Sequence, residues 1–117
     1  MISSLNSTIS ALQAFRTKMD VTADNIANVN TEGFKKSKAT FEEGAHGDVR
    51  VEINRVDTPG YGYQGFKADQ VVEKESSNVK LEEEIPSMIV TQNAYEANLK
   101  TLQTQDSMLG SLLDIIG

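Results

Sequence analysis

Residues 85–116 read IPSMIVTQNAYEANLKTLQTQDSMLGSLLDII. Within them Ile85, Met88, Gln92, Tyr95, Leu99, Leu102, Asp106, Leu109, Leu113 and Ile116 alternate steps of three and four. That spacing keeps one stripe of an α-helix turned toward a neighbour. Ile89, Met108, Leu112 and Ile115 fall outside the register and form a second apolar strip, concentrated near the carboxyl end. Pro86 is expected in the first helical turn, where a missing N–H costs little. Glu82, Glu83 and Glu84 then sit near the positive end of the helix dipole.

The opposite end repeats the pattern. Ile2, Leu5, Ile9, Leu12, Arg16, Met19, Ala23 and Ile26 take the same alternating steps, which predicts a helix over roughly residues 3–29. Ser3 or Ser4 can cap its start. Arg16 is the irregular member, tolerated where its head reaches water or a carboxylate. Ala11, Ala14, Phe15 and Val21 widen the apolar face beyond one seam, which implies more than one neighbour.

Between the ends the pattern changes. NVNTEGF, residues 28–34, reads as a helix exit with Gly33 in the left-handed region. VRVEINRV, residues 49–56, alternates as a half-buried strand does. TPGYGYQG, residues 58–65, reads as a turn built on Pro59 and three glycines. QVV at 70–72 and NVKLE at 78–82 are candidates for further short strands.

The predicted fold is therefore mainly α with a small β region. Long N- and C-terminal helices pack as a coiled-coil-like pair around a short β-rich or extended middle. The N-terminal helix takes residues 1–29, the middle 30–81 and the C-terminal helix 82–117, the two helices forming one joint helical core domain. The expected assembly seam is Leu5, Ile9, Leu12, Met19 and Ile26 on the first helix. On the second it is Met88, Tyr95, Leu99, Leu102, Leu109, Leu113 and Ile116.

Composition narrows the function. In 117 residues there is room for one domain, and a chain this short hides proportionally little surface, so it needs a modest core or a partner. The net charge of -6 is concentrated at the carboxyl end, where residues 82–117 set Lys100 against six carboxylates. No basic face is available to track a phosphate backbone, so nucleic acid is not an expected partner. No cysteine is present, which removes disulfides, thiol nucleophiles and sulfur-rich metal sites. The start, MISSLNSTIS, lacks the charge and apolar run of a secretory signal, and no stretch has the length of a transmembrane segment.

Chemistry is sought without success. Adjacent side chains such as Glu82, Glu83 and Glu84 diverge on a helix, and no spaced oxygen-ligand loop accompanies them. The lone His46, in EEGAHGD, has no nucleophile or orienting group to work with. PGYGYQG lacks the spacing and following lysine of a phosphate loop. Tyr61 and Tyr63 read as turn packing or a subunit contact. No catalytic residue, metal site, cofactor or small-molecule substrate is expected. The residues describe a non-catalytic structural subunit that completes its helical packing in an oligomer.

One further signal lies in the letters themselves. ADNIANVNTEGFKK, residues 23–36, resembles the signature that follows the first helix in bacterial flagellar axial proteins, the rod, hook and hook-associated family. SNVKLEEEI at 77–85 and MIVTQNAYEANLKTLQTQDSMLGSLLDII at 88–116 resemble the closing motif of the same family. Asn25, Ala27, Asn28, Asn30, Thr31, Gly33 and Phe34 match the first motif. Gln92, Tyr95, Ala97, Asn98, Thr104, Met108 and Leu109 match the second. The brief middle is similar to the small proximal rod proteins, whereas SNV and LEEE ahead of MIVTQ lean toward the distal rod and hook style.

The resemblance implies a structural subunit of the flagellar basal-body rod, its terminal helices forming the core layer of a helical tube. The implied partners are further copies, other rod subunits and the flagellar export apparatus. The implied location is the basal body, reached without a cleaved signal. The alternative is a non-catalytic export-related adaptor or diverged paralogue that binds axial proteins without entering the assembly.

Overall fold

The computed structural model describes residues 2–117. Helix α1 spans Ile2–Ala27 and helix α2 spans Leu81–Ile116. At about 1.5 Å per residue these are rods of about 39 and 54 Å. Strands β1 (Ser37–Glu43) and β2 (Val49–Arg55) form one antiparallel hairpin, and β3 (Gly62–Lys67) and β4 (Gln70–Glu75) form a second. The molecule is a rod of 80 × 25 × 21 Å. Two long helices flank a short β region, as the periodicities predict. Neither helix is long and apolar enough to cross a membrane.

The helices run antiparallel. Asn25, near the end of α1, meets Glu84 at the start of α2, while Ser4 shares a groove with Lys100 and Gln105. Because α2 is the longer helix, its last turns pass the start of α1, and residues 110–116 are all exposed.

The β1–β2 hairpin lies along α1. Its alternation turns Ala39, Phe41, Val49 and Val51 toward the helix, where Phe15 and Phe41 meet edge to face with centroids 5.1 Å apart. The Nζ of Lys18 sits 5.2 Å from the centre of the Phe41 ring. At the hairpin tip the Ser7 hydroxyl donates to Gly47 O (2.9 Å), and the Val49 N–H donates to Ser10 Oγ (3.0 Å). The β3–β4 hairpin packs on no other helix or strand. Its strands are joined by Ala68 and Asp69, both at positive φ (50° and 61°), which gives the twist a two-residue hairpin requires.

Several local expectations need correction. The first helix begins at Ile2, so Ser3 and Ser4 lie inside it and do not cap it; it ends at Ala27, with residues 28–30 already a turn. The second begins at Leu81 after the extended Lys80, so Pro86 is its sixth residue and lies past the first turn. Gly62–Gly65, read as turn, is the first part of β3: Tyr63 and Phe66 suit a strand, and an exposed two-stranded ribbon tolerates the glycines. Residues 58–61 form no turn but an irregular link into β3, where a Cβ on Gly60 would collide with the Ser76 carbonyl oxygen. Residues 78–80 are not a strand but an irregular approach to α2, buried at Asn78 and Val79, because the Asn78 side chain takes the partners a ladder would have used. Strand β1, with Lys38 as its second residue, has no expectation from the sequence behind it.

Gly33 has φ +68° with open space around it, and its N–H donates to Glu75 O (2.8 Å). A side chain there meets backbone strain and no collision. Gly33→Ala should therefore cost about 1 kcal/mol, and Gly33→Val more. Urea denaturation of the three proteins checks this; equal midpoints would contradict it.

Candidate assembly interface

No residue of the expected seam is fully buried within the chain. Leu5, Leu12, Met19 and Ile26 are half-buried on α1, as are Met88, Tyr95, Leu102 and Leu109 on α2. Ile9, Leu99, Leu113 and Ile116 are exposed, the last two at 68% and 81%. The tightly closed positions of the two helices are small or polar: Thr8, Ala14, Thr22 and Asn25 on α1, and Thr91 on α2. α1 is the one element against which α2 packs.

The exchange has a physical reason. Thr8 donates its hydroxyl to Ser4 O (2.9 Å) and Thr91 to Ser87 O (2.7 Å), each satisfied one turn back in its own helix. Their methyl groups are then free to fill a close helix–helix contact. The larger side chains are displaced to its flanks. Ile85, Ile89, Val90, Met108 and Leu112 join Leu99 and Leu113 as exposed apolar residues on α2. Exposed large side chains recurring along one helix mark an interaction surface.

Two asparagines lock the β region onto this pair. Asn25 is 1% exposed, the largest fully buried side chain among the described residues. Its Nδ2 donates to Ser37 O (2.8 Å) and to Glu84 Oε2 (3.3 Å), and its Oδ1 accepts the Ser37 N–H (3.0 Å). Asn78 does the same one residue earlier. Its Oδ1 accepts the Lys36 N–H (2.7 Å), and its Nδ2 donates to Val56 O (2.8 Å) and Thr58 O (2.9 Å). Consecutive backbone amides entering β1 are thus held by side chains from the two ends of the chain. The sequence singled out Asn25 as a motif residue; it left Asn78 inside the quoted SNV without a role.

The other motif residues divide by position. Asn28 shapes the helix exit: its Nδ2 donates to Asp24 O (2.8 Å) and its Oδ1 accepts the Thr31 hydroxyl (3.0 Å). Phe34 O accepts the Asn78 N–H (3.3 Å). Ala27 and Asn30 are exposed, and so are Gln92, Ala97 and Thr104; Asn98 is half-buried.

Carboxylates fix the base of the β3–β4 arm. Glu75 pairs with the Lys35 ammonium and accepts the Gly60 N–H (2.7 Å). Glu32 accepts from the Tyr63 hydroxyl (2.7 Å) and the Lys74 ammonium (3.2 Å), and Glu83 pairs with Lys36 (3.1 Å). The bond from Lys35, then that from the Gly60 amide, holds the Glu75 carboxyl below its ordinary value; Tyr63 and then Lys74 do so for Glu32, and Lys36 for Glu83. In return, the Glu32 carboxylate raises the Tyr63 hydroxyl. His46 lies exposed in the β1–β2 loop, and no group of three or more acidic or histidine side chains gathers to hold a metal among the described residues.

Removal of the Asn25 amide strands a part-buried N–H and a part-buried C=O at Ser37. Asn25→Ala should cost about 2–4 kcal/mol in urea unfolding, since each stranded group costs roughly 1–3 kcal/mol. A loss below about 0.5 kcal/mol would contradict the clamp. Acid should loosen the arm first. Because the folded carboxyls of Glu75 and Glu32 titrate below their unfolded values, their contribution is complete above the ordinary carboxylate range and is lost as pH falls through the lower folded values. Hydrogen exchange at the Gly60 amide, corrected for intrinsic rate, should accelerate over that descent while helical amides of α1 stay protected. Simultaneous loss of protection throughout would contradict it.

Residues 5–35 match the model of the flagella basal body rod protein family, and residues 73–115 match that of the flagellar basal body rod FlgEFG protein C-terminal family. The chain is 58% identical over 43 residues to flagellar basal-body rod protein FlgG of Bacillus subtilis, covering 37% of this chain and 16% of that protein. It is 54% identical over 43 residues to flagellar hook protein FlgE of Borreliella burgdorferi, 37% of this chain and 10% of that one. With FlgG of Buchnera aphidicola (subsp. Schizaphis graminum) it shares 39% identity over 71 residues, 60% of this chain and 26% of that protein. The chain thus spans at most about a quarter of the length of these relatives. Both motif regions that meet at the asparagine clamp lie inside the matched segments or beside their ends, and the chain belongs to the flagellar basal-body rod and hook family of axial proteins.

Proposed function

We propose that this chain is a non-catalytic structural subunit of the bacterial flagellar basal-body rod. Its terminal helices form one joint core domain that packs, in coiled-coil fashion, with those of further copies and other rod subunits into a helical tube. The seam is Leu5, Ile9, Leu12, Met19 and Ile26 on α1, with Met88, Tyr95, Leu99, Leu102, Leu109, Leu113 and Ile116 on α2. The subunit reaches the basal body through the flagellar export apparatus, without a cleaved signal. It takes no cofactor, small-molecule substrate or nucleic acid.

The observation that carries this reading is the apolar surface the helix pair leaves uncovered. Small and polar residues close the intramolecular contact, while Ile85, Ile89, Leu99, Met108, Leu112 and Leu113 face outward along most of α2. Burial of each such side chain is worth roughly 1.5–3 kcal/mol, a drive toward association that a monomer does not use. Unlike surfaces on the two helices favour successive, open contacts of the kind that build a tube.

Leu102 and Leu109 lie two turns apart on the half-buried side of α2. Replacing both with aspartate places charges where neighbouring helices close, a cost well above the lost leucine contacts. Cells carrying Leu102→Asp with Leu109→Asp should make and export the protein, yet stop rod assembly early and fail to swim. Complete rods and normal swimming would remove the seam from this account. A closed complex of fixed size, formed with axial proteins but absent from purified basal bodies, would favour an export-related adaptor instead.

A further inference from the structure

The β3–β4 arm ends in a surface that its own chain does not use. Phe66 is 79% exposed and its cross-strand partner Val71 60% exposed, side by side at the tip. Lys67 follows, with no ion-pair partner among the described residues. Elsewhere, an open apolar groove runs between α1 and the β1–β2 hairpin. Its floor is Ala11, Ala14, Phe15, Phe41 and Val49, and Glu43, on the same face of β1 as Phe41, stands on its rim. Glu43 has no ion-pair partner among the described residues, and Lys18 lies across the Phe41 ring. The tip is apolar with a cation at Lys67 and an anion at Asp69. The groove is apolar with an anion at Glu43 and a cation at Lys18.

The arm does not reach its own groove. It begins beside the start of α2 and packs on no other element, and strands of six residues extend about 20 Å. The molecule is 80 Å long but only 25 × 21 Å across, whereas α2 accounts for about 54 Å. The arm therefore continues the long axis past the helix pair, away from the middle of α1. From one copy, the tip points toward whatever stands next along that axis.

We propose that the β3–β4 tip of one copy docks in the α1–hairpin groove of a second copy, Phe66 packing against the Phe15–Phe41 pair with Lys67 facing Glu43. The contact joins unlike surfaces, so it propagates along an axis and does not close a dimer. It rests on the axial-subunit reading and adds to it a link outside the helical seam.

The absence of native cysteine allows a direct test. Gln70→Cys chains mixed with Ala45→Cys chains, under mild oxidation, should give a cross-linked dimer. Gln70→Cys mixed with Asn93→Cys, on the outer side of α2, should not. Phe66→Ser in the first chain should lower the yield about tenfold or more, as expected for an aromatic anchor. Lys67→Glu should lower it too, and Glu43→Lys in the partner chain should restore it. A yield no better than the Asn93→Cys control, or one indifferent to Phe66→Ser, overturns the proposal. So does an intrachain link as the main product of the Gln70→Cys, Ala45→Cys double variant, which would show the arm folding back. The same cross-link measured with Leu102→Asp and Leu109→Asp separates the two readings. A missing cross-link in a chain whose rods still depend on those leucines removes the arm contact alone.

Discussion

Two buried amides hold this molecule together. The chain enters β1 through Lys36 and Ser37, and their consecutive N–H groups are accepted by Asn78 and Asn25. Because Asn25 belongs to α1 and Asn78 to the segment that leads into α2, the hairpin base cannot be seated until both ends of the chain are in place. The same Asn78 amide closes the exit from β2 through Val56 and Thr58, and Asn25 reaches Glu84 on the second helix. An asparagine with donor and acceptor both used inside a dry contact specifies one geometry, since the groups it serves lose much more than they gain in any other. With so small an apolar core, comprising Ala14, Ala39 and Val79 among the described buried residues, this polar node supplies much of the definition a larger core would give.

What surrounds the node follows from it. The β1–β2 hairpin is laid along α1, pinned by Asn25 at its base and by Ser7 and Ser10 near its tip. The β3–β4 hairpin is held at its foot by Glu75 and Glu32 and otherwise stands free. The helices close on threonines, which leaves their large aliphatic residues along the flanks. A monomer built this way has an ordered frame and an unfinished surface.

The sequence disclosed the parts governed by local rules. Periodicity marked both helices to within a few residues, alternation marked β2, and the asparagine–glycine exit marked the left-handed Gly33. It was silent or misleading where partners are remote. Strand β1, SKATFEE, has only Ala39 and Phe41 to bury, too few to stand out as an alternating run. The glycines of residues 58–65 suggested a turn, although only Gly60 needs its missing side chain for close approach and β3 begins at Gly62. NVKLE looked like a strand because Val79 and Leu81 alternate, but Asn78 binds the hairpin through its side chain. The helix stripe was drawn through the bulkiest residues, whereas the closest packing passes through Thr8, Thr22 and Thr91. A threonine whose hydroxyl is satisfied in its own helix is nearly apolar toward a neighbour, and no periodicity of large residues reveals it.

We propose that the apolar flanks of the helix pair are covered by neighbouring axial subunits. A cryo-electron microscopy map of intact basal bodies, resolved well enough to trace this chain, measures that directly. The account predicts α1 and α2 in an antiparallel pair held by the Asn25 and Asn78 bonds, with Ile85, Leu99 and Leu113 buried against helices of adjacent subunits. A map in which those residues face water while the chain occupies the rod, or from which the chain is absent, would contradict it.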